Sequence, residues 1–353
     1  MAQELDQKEI KEIIQSGHLN FLIGSGCSRN YLSVLGDIEE KMNKEVDKEP
    51  AQKEYYKLIR KSKAVLNTSL ENDDEEKKEL KKTKEIYASF FSFWSEVISK
   101  RSLHLVSKQV NVFTTNFDLF MEDACERLSI PYNDGFSGRI KPTFSVSNFN
   151  KIQKYKSLQF DNTSDIPLFN IIKLHGSISW RNNGDQDITY SDGSHIPDDL
   201  DKKTGKKFSD GYKKIAVINP NAEKHFETVL DINYASMLRK FVLELEKENS
   251  VLMVFGFSMA DRHIKDLLYS AMKSNPTLIV LYFSYDKYDG ENDNLKKREN
   301  LNLHVISPKP DFSFNDSIAH LLEIFTKKDD GEYKKNFIKS EYKKMRGSNG
   351  EDK

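Results

Sequence analysis

Short apolar runs recur along this chain at residues 19–23, 110–114, 171–174, 215–218, 251–255 and 277–283. Each is too short to be a self-sufficient helix, and each ends in Gly, Asn, Thr, Ser or His. Such runs read as strands buried on both faces. Helical-length stretches lie among them at 119–128, 234–248 and 261–273, and 304–306 reads as a last short strand. This alternation predicts an α/β fold with a doubly wound parallel sheet. Ligands bind such sheets at the carboxyl ends of the strands. The residues just after each run are therefore the candidates for chemistry.

Four strand ends carry unusual residues. The first is Gly24-Ser25-Gly26-Cys27-Ser28. Paired glycines opening a helix would let a pyrophosphate approach the backbone and the positive helix end. A third glycine three residues later would complete a dehydrogenase fingerprint, but Arg29 stands there, which disfavours that class. A plain strand-to-loop turn explains the same residues. The second is Thr114-Thr115-Asn116-Phe117-Asp118. It delivers an uncharged amide, Asn116, and a carboxylate, Asp118, to the strand end. Asn116 and Asp118 also suit the cap of the following helix, and Asp118 suits it better.

The third strand end is Leu174-His175-Gly176-Ser177. An imidazole titrates near neutrality and serves as a base, and Gly176 would leave space for a ligand beside it. A hydrogen-bonded structural histidine is the alternative. The fourth is Gly256-Phe257-Ser258, followed by Asp261, which reads as a helix cap.

Residues 38–101 break the alternation. They are rich in Lys and Glu, and 71–84 is nearly all charged. A helical insertion with a solvated face, or a flexible connection, fits this composition. The stretch 86–98 is rich in Phe and Trp and should pack on the sheet. Residues 131–168 are polar and irregular, 182–212 reads as a long loop or hairpin, and 327–353 forms a charged tail.

The bulk numbers exclude several classes. With 54 basic and 55 acidic residues the net charge is -1, which gives no electrostatic reason for direct nucleic-acid binding. Two cysteines, Cys27 and Cys125, cannot build a four-cysteine zinc site, and no metal is expected. No clustered His and carboxylate motif suggests a metal-dependent nuclease. The N-terminus lacks an apolar signal core, and no run approaches the roughly 18 residues of a membrane span. Neither membrane binding nor export is expected, so a cytoplasmic location is.

Taken in order, these segments resemble the sirtuin family of NAD-consuming enzymes. The first matches the family's Gly-Ala-Gly-x-Ser turn with Ser25 in the alanine place, and the second its Thr-Gln-Asn-hydrophobic-Asp signature with Thr115 in the glutamine place. The resemblance implies a Rossmann-like NAD-binding domain over 1–326 and casts Asn116 and His175 as catalytic. It places Gly24, Ser25, Gly26, Ser28, Arg29, Thr115, Asp118, Gly256 and Ser258 around NAD+. Ser284 or Asp286 would take the place of the asparagine that many sirtuins use on the adenine ribose.

The chain departs from typical deacylases. The Gly-Ile-Pro-x-Phe-Arg loop is replaced by Arg29-Asn30-Tyr31-Leu32, and no zinc ribbon can form. The combination resembles the prokaryotic sirtuin-like NADases of anti-phage defence. It implies NAD+ as a substrate, a homo-oligomer, and a HerA-type hexameric ATPase as partner. An NAD-dependent protein deacylase and a non-catalytic NAD or ADP-ribose binding module are the alternatives.

Overall fold

The computed structural model describes residues 5–44, 47–66, 75–101, 106–159, 162–184, 187–220, 231–259, 261–285, 302–307 and 310–326. The tail 327–353, Asp286 and residues 71–74 of the charged stretch lie outside these. Strands in chain order are β1 (His18–Ile23), β2 (Gln109–Thr114), β3 (Tyr132–Asn133), β4 (Phe136–Ser137), β5 (Thr143–Phe144), β6 (Lys154–Lys156) and β7 (Thr163–Asp165). They continue with β8 (Leu168–Lys173), β9 (Gly176–Asn182), β10 (Ile188–Tyr190), β11 (Ile215–Val217), β12 (Ser250–Phe255), β13 (Ile279–Phe283) and β14 (Leu303–Ile306). The helices are α1 (Gln7–Ser16), α2 (Gly36–Lys44), α3 (Glu49–Ser62), α4 (Glu75–Ser99), α5 (Phe120–Leu128), α6 (Gly205–Tyr212), α7 (Ile232–Leu245), α8 (Arg262–Ser274) and α9 (Phe314–Thr326).

A seven-stranded sheet of order β14-β13-β12-β1-β2-β8-β3 forms the centre, and every neighbouring pair in it is parallel. The chain leaves β1 toward β2 on one side and leaves β12 toward β13 on the other. The loops after β1 and β12 therefore diverge and open a crevice between them. Alternate residues serve opposite faces. Phe21, Val112, Ile171 and Met253 pack under α1, α4, α5 and α9, while Leu22, Phe113, Ile172 and Val254 pack under α7 and α8.

Register is pinned by polar side chains as well as by packing. Asn111 Nδ2 donates to Asn20 Oδ1 and Asn170 Nδ2 to Asn111 Oδ1, each at 3.0 Å, and Asn20 Nδ2 donates to Ser250 Oγ at 2.9 Å. This buried ladder crosses four adjacent strands. A one-residue slip would turn every amide to the other face and leave the whole row unsatisfied. Arg101 is likewise buried and donates to the carbonyls of Ile14, Gln15 and Gly17, closing the C-terminal end of α1.

Three sequence expectations change. Residues 215–218 do not join the parallel sheet. β11 belongs to a second, antiparallel sheet of order β11-β9-β10-β5-β4, whose short and partly polar strands give little apolar signal. The glycine turn does not open an α-helix but closes as one 3-10 turn, Ser25–Ser28. The charged stretch is not merely a solvated surface. Tyr55, Tyr56 and Ile59 of α3 are buried in the core, while the burial of Tyr87, Phe90, Phe91 and Trp94 of α4 is as expected for 86–98. Among the described residues no helix is long and apolar enough to cross a membrane.

Candidate active site

A cavity of about 710 Å³ opens at the carboxyl edge of the central sheet. It lies at the switch point between β1 and β12 and falls within the range of about 300–1,000 Å³ usual for small-molecule sites. Ser25, Gly26 and Arg29 from the glycine turn line it, with Thr115, His175, Gly256, Ser258 and Asp261. The N-terminal turn of α9 and Tyr55 of α3 close it on other sides.

The glycines are explained first by packing. A Cβ on Gly24 would meet the Gly256 carbonyl oxygen at 2.5 Å and Phe257 Cα at 2.7 Å. Gly256 has φ +58, and a Cβ there would meet Cys27 N at 2.5 Å. The two loops interlock backbone to backbone, with Gly26 N–H donating to the Gly256 carbonyl at 2.9 Å. This close approach shapes the cavity rim, and the rim presents peptide groups rather than side chains.

Asn116, Asp118 and Ser28 do not line the cavity. They form a buried polar floor behind the 3-10 turn. Asn116 is 4% exposed, and its Nδ2 donates to the Gly24 carbonyl at 3.1 Å and lies 3.4 Å from both Ser28 Oγ and Tyr87 Oη. Its Oδ1 is buried without a hydrogen-bond partner. Such an orphan asks for an explanation in a native fold. Ser28 Oγ donates to Asp118 Oδ2 at 2.9 Å and lies 2.9 Å from Tyr87 Oη. Asp118 Oδ1 also accepts from the Phe120 N–H at 3.3 Å, at the start of α5.

The floor carries charge. Lys173, 2% exposed, pairs with Glu122 at 3.1 Å and donates to the Asp118 carbonyl. The ammonium is thus ion-paired with Glu122 and acts on the Asp118 carboxyl only through space. Burial raises the Asp118 and Glu122 carboxyls above their usual range, with Lys173 opposing the rise. Burial also pushes the Cys27 thiol well up, so the one cysteine facing the cavity stays protonated and is no nucleophile.

Tyr87 is the member that sequence reasoning missed. It sits in an aromatic run of α4, stacks on Phe120 at 5.4 Å and reads as ordinary core. Only its hydroxyl, on a helix face otherwise built of Phe and Trp, distinguishes it.

His175 stands on the cavity wall, 14% exposed on its side chain, with Nε2 3.3 Å from Asp261 Oδ2. Gly176 does not leave ligand space beside it, contrary to the sequence expectation. At φ +81, a Cβ there would lie 1.9 Å from the Ala216 carbonyl oxygen and 2.8 Å from the Tyr234 hydroxyl. The glycine lets β11 and α7 close against the strand end and so fixes the His175 backbone. Arg29 is exposed, its guanidinium 4.9 Å from the Tyr285 ring centre. Ser284 lines the cavity as well. Among the described residues no group of three or more His, Cys, Asp or Glu side chains is placed to hold a metal.

Solved structures of similar shape include a Sir2 homolog–NAD complex, with a TM-score of 0.48, 12% identity and coverage of 92% of this chain and 98% of that chain. A mutant Sir2 homologue in complex with ADP-ribose matches with a TM-score of 0.48 and 13% identity over 92% of this chain and 100% of that chain. A structure from work on the mechanism and regulation of Sir2 enzymes matches with a TM-score of 0.43 and 14% identity, covering 90% and 96%. No curated protein matches this sequence. The SIR2-like domain family matches residues 110–306, more than half of the chain and including Asn116, Asp118, His175, Gly256 and Ser258. By that match the chain belongs to the SIR2-like family.

Proposed function

We propose that this chain hydrolyses NAD+ to nicotinamide and ADP-ribose, acting as a gated effector of anti-phage defence that depletes NAD+. The observation that carries the reading is an imidazole on the wall of the switch-point cavity, His175, together with a buried orphan acceptor, Asn116 Oδ1, behind the glycine turn that lines the same cavity. The peptide-lined rim at Gly26 and Gly256 suits a pyrophosphate, and Ser25, Thr115 and Ser258 add hydroxyl groups around it, while Gly24 packs behind the rim. Arg29 offers the cation. Ser28 and Asp118 support the floor instead of touching the ligand.

His175 takes a proton from a water as that water's oxygen bonds to the ribose carbon. The nicotinamide leaves with the electron pair of its bond to that carbon, and the imidazolium later returns its proton to solvent. Asn116 Oδ1 is assigned to a ribose hydroxyl or to the attacking water. It lies behind Ser25–Ser28, so that turn must open for contact. An amide there aligns without competing as a nucleophile. The proposed partner is a HerA-type ATPase, and assembly into a homo-oligomer would gate the activity.

The test is release of nicotinamide and ADP-ribose from NAD+ by the purified chain, with Asn116→Ala and His175→Ala alongside. Release without any acyl peptide, lost in both variants, supports hydrolysis. Release that requires an acyl-lysine peptide would replace it with deacylation. NAD+ binding without nicotinamide release, alone and with the ATPase added, would leave a binding module.

A further inference from the structure

Asp261 does more than a helix cap requires. It is the N-cap of α8, and its Oδ1 accepts from the Ile264 N–H at 3.5 Å. One carboxylate oxygen suffices for that role. The second, Oδ2, faces His175 Nε2 at 3.3 Å, from a residue 8% exposed on the cavity wall. The turn after β12 delivers it there. Within it Met259 adopts φ +59, a conformation that costs a non-glycine residue free energy. The backbone of His175 is already held, its carbonyl accepting from the Ile218 N–H at 2.9 Å. The ring, in turn, has the Asp261 carboxylate beside it.

We propose that Asp261 is the positioning residue of His175, holding the ring proton on Nε2 and so making Nδ1 the nitrogen that takes the proton from water. A neutral imidazole has one N–H and one lone pair, and the nitrogen facing a carboxylate carries the hydrogen. When Nδ1 takes the second proton, the carboxylate stabilises the imidazolium without itself being protonated. The dyad joins two strand ends, those of β8 and β12, that lie on either side of β1 and β2 in the sheet. Its kinetic consequence rests on the NAD+ hydrolysis reading, whereas its geometry does not.

The experiment compares wild type, Asp261→Asn and Asp261→Ala in two ways. Nicotinamide release is measured over a range of NAD+ concentrations. The ring tautomer of His175 is read from long-range 15N–1H spectra, assigned by the loss of signals in His175→Gln. Asparagine caps a helix as well as aspartate does, so Asp261→Asn keeps α8 and the wild-type Tm. We expect its kcat to fall by about tenfold or more while KM stays within about twofold, as for a residue acting through a base. We expect an Nε2–H ring in wild type that is lost in Asp261→Asn. An Nδ1–H ring in wild type overturns the proposal, and so does an unchanged kcat in Asp261→Asn. If wild type releases no nicotinamide, the hydrolase reading fails, and the tautomer alone decides the dyad.

Discussion

Asn116 and His175 follow neighbouring strands, β2 and β8, yet their surroundings are opposite. Asn116 lies in a floor of hydrogen-bonded groups, with Gly24, Ser28 and Tyr87 within 3.4 Å of its amide nitrogen. His175 stands on a wall, its backbone fixed by Ala216–Ile218 and its ring facing one carboxylate. Under the proposed hydrolysis, the difference matches what each group would do. An amide never changes charge, so it can be buried and aimed once, and every polar neighbour adds precision. A base must gain and lose a proton, so it needs solvent contact and a partner that tolerates both of its states. Burying both groups in the floor would have trapped the imidazole neutral, while exposing both would have left the amide free to rotate.

The largest expected effects come from removing either group. Asn116→Ala and His175→Ala should each lower nicotinamide release by about a hundredfold or more, the scale of a lost general base or aligned dipole. If the contrast holds, the two losses differ in kind. The His175→Ala deficit should shrink when small imidazole bases are added to the assay, because the wall is open to the cavity. The Asn116→Ala deficit should respond far less to acetamide, because the floor is reached only when the Ser25–Ser28 turn opens. Equal rescue of both variants would break the distinction.

Next in size is the floor's charge. Lys173→Met leaves Glu122 without its ion-pair partner and Asp118 without the nearby cation, and breaking a buried pair this way costs about 3–5 kcal/mol. The urea midpoint should fall accordingly. The deficit should shrink at acid pH, because protonating the carboxyls removes the unpaired charges. A surface-like loss of under about 1 kcal/mol would show that the floor is wet.

How much of this was legible follows from how local each signal is. The strands β1, β2, β8, β12 and β13 were readable because both their faces are buried, so their sequences are continuous apolar runs. The second sheet was not, because β4, β5 and β10 are two or three residues long and half solvated. Asn116 and His175 were visible as polar residues at strand ends. What they touch was not. Gly24 and Gly256 are glycines because each meets the other's loop, and nothing near Gly24 announces a partner more than 200 residues away. The space beside Gly176 was misread for the same reason, since Ala216 fills it from another strand. Tyr87 was hidden in an aromatic run whose other members are only core.

Tyr87→Phe sharpens the comparison at a smaller scale. It removes one hydroxyl from the floor and keeps the ring stacked on Phe120. Ser28 retains Asp118, so the stability loss should be about 1 kcal/mol. If the hydroxyl helps to hold the Asn116 amide, kcat should drop by about fivefold with KM unchanged. A change in KM alone would move Tyr87 from aiming the amide to shaping the cavity.

The smallest effect is a pH dependence, and its sign is specific to the floor. Burial outweighs the Lys173 pair and leaves the Glu122 carboxyl above its ordinary value of 4.5 in the folded state. The unfolded chain therefore releases this proton first. Above pH 4.5 the folded state holds more of it, so stability falls as pH rises through the folded pKa. The contribution is fully present below pH 4.5 and lost above the raised value, the reverse of an ordinary salt-bridged carboxylate. Glu122→Gln removes the titration while Lys173 keeps Asp118 as counter-charge. The difference in Tm between variant and wild type should then move in the variant's favour as pH is raised from 4.5 to 7. If instead wild type gains on the variant over that range, the Lys173 pair outweighs burial, and the floor is held together by its ions rather than in spite of them.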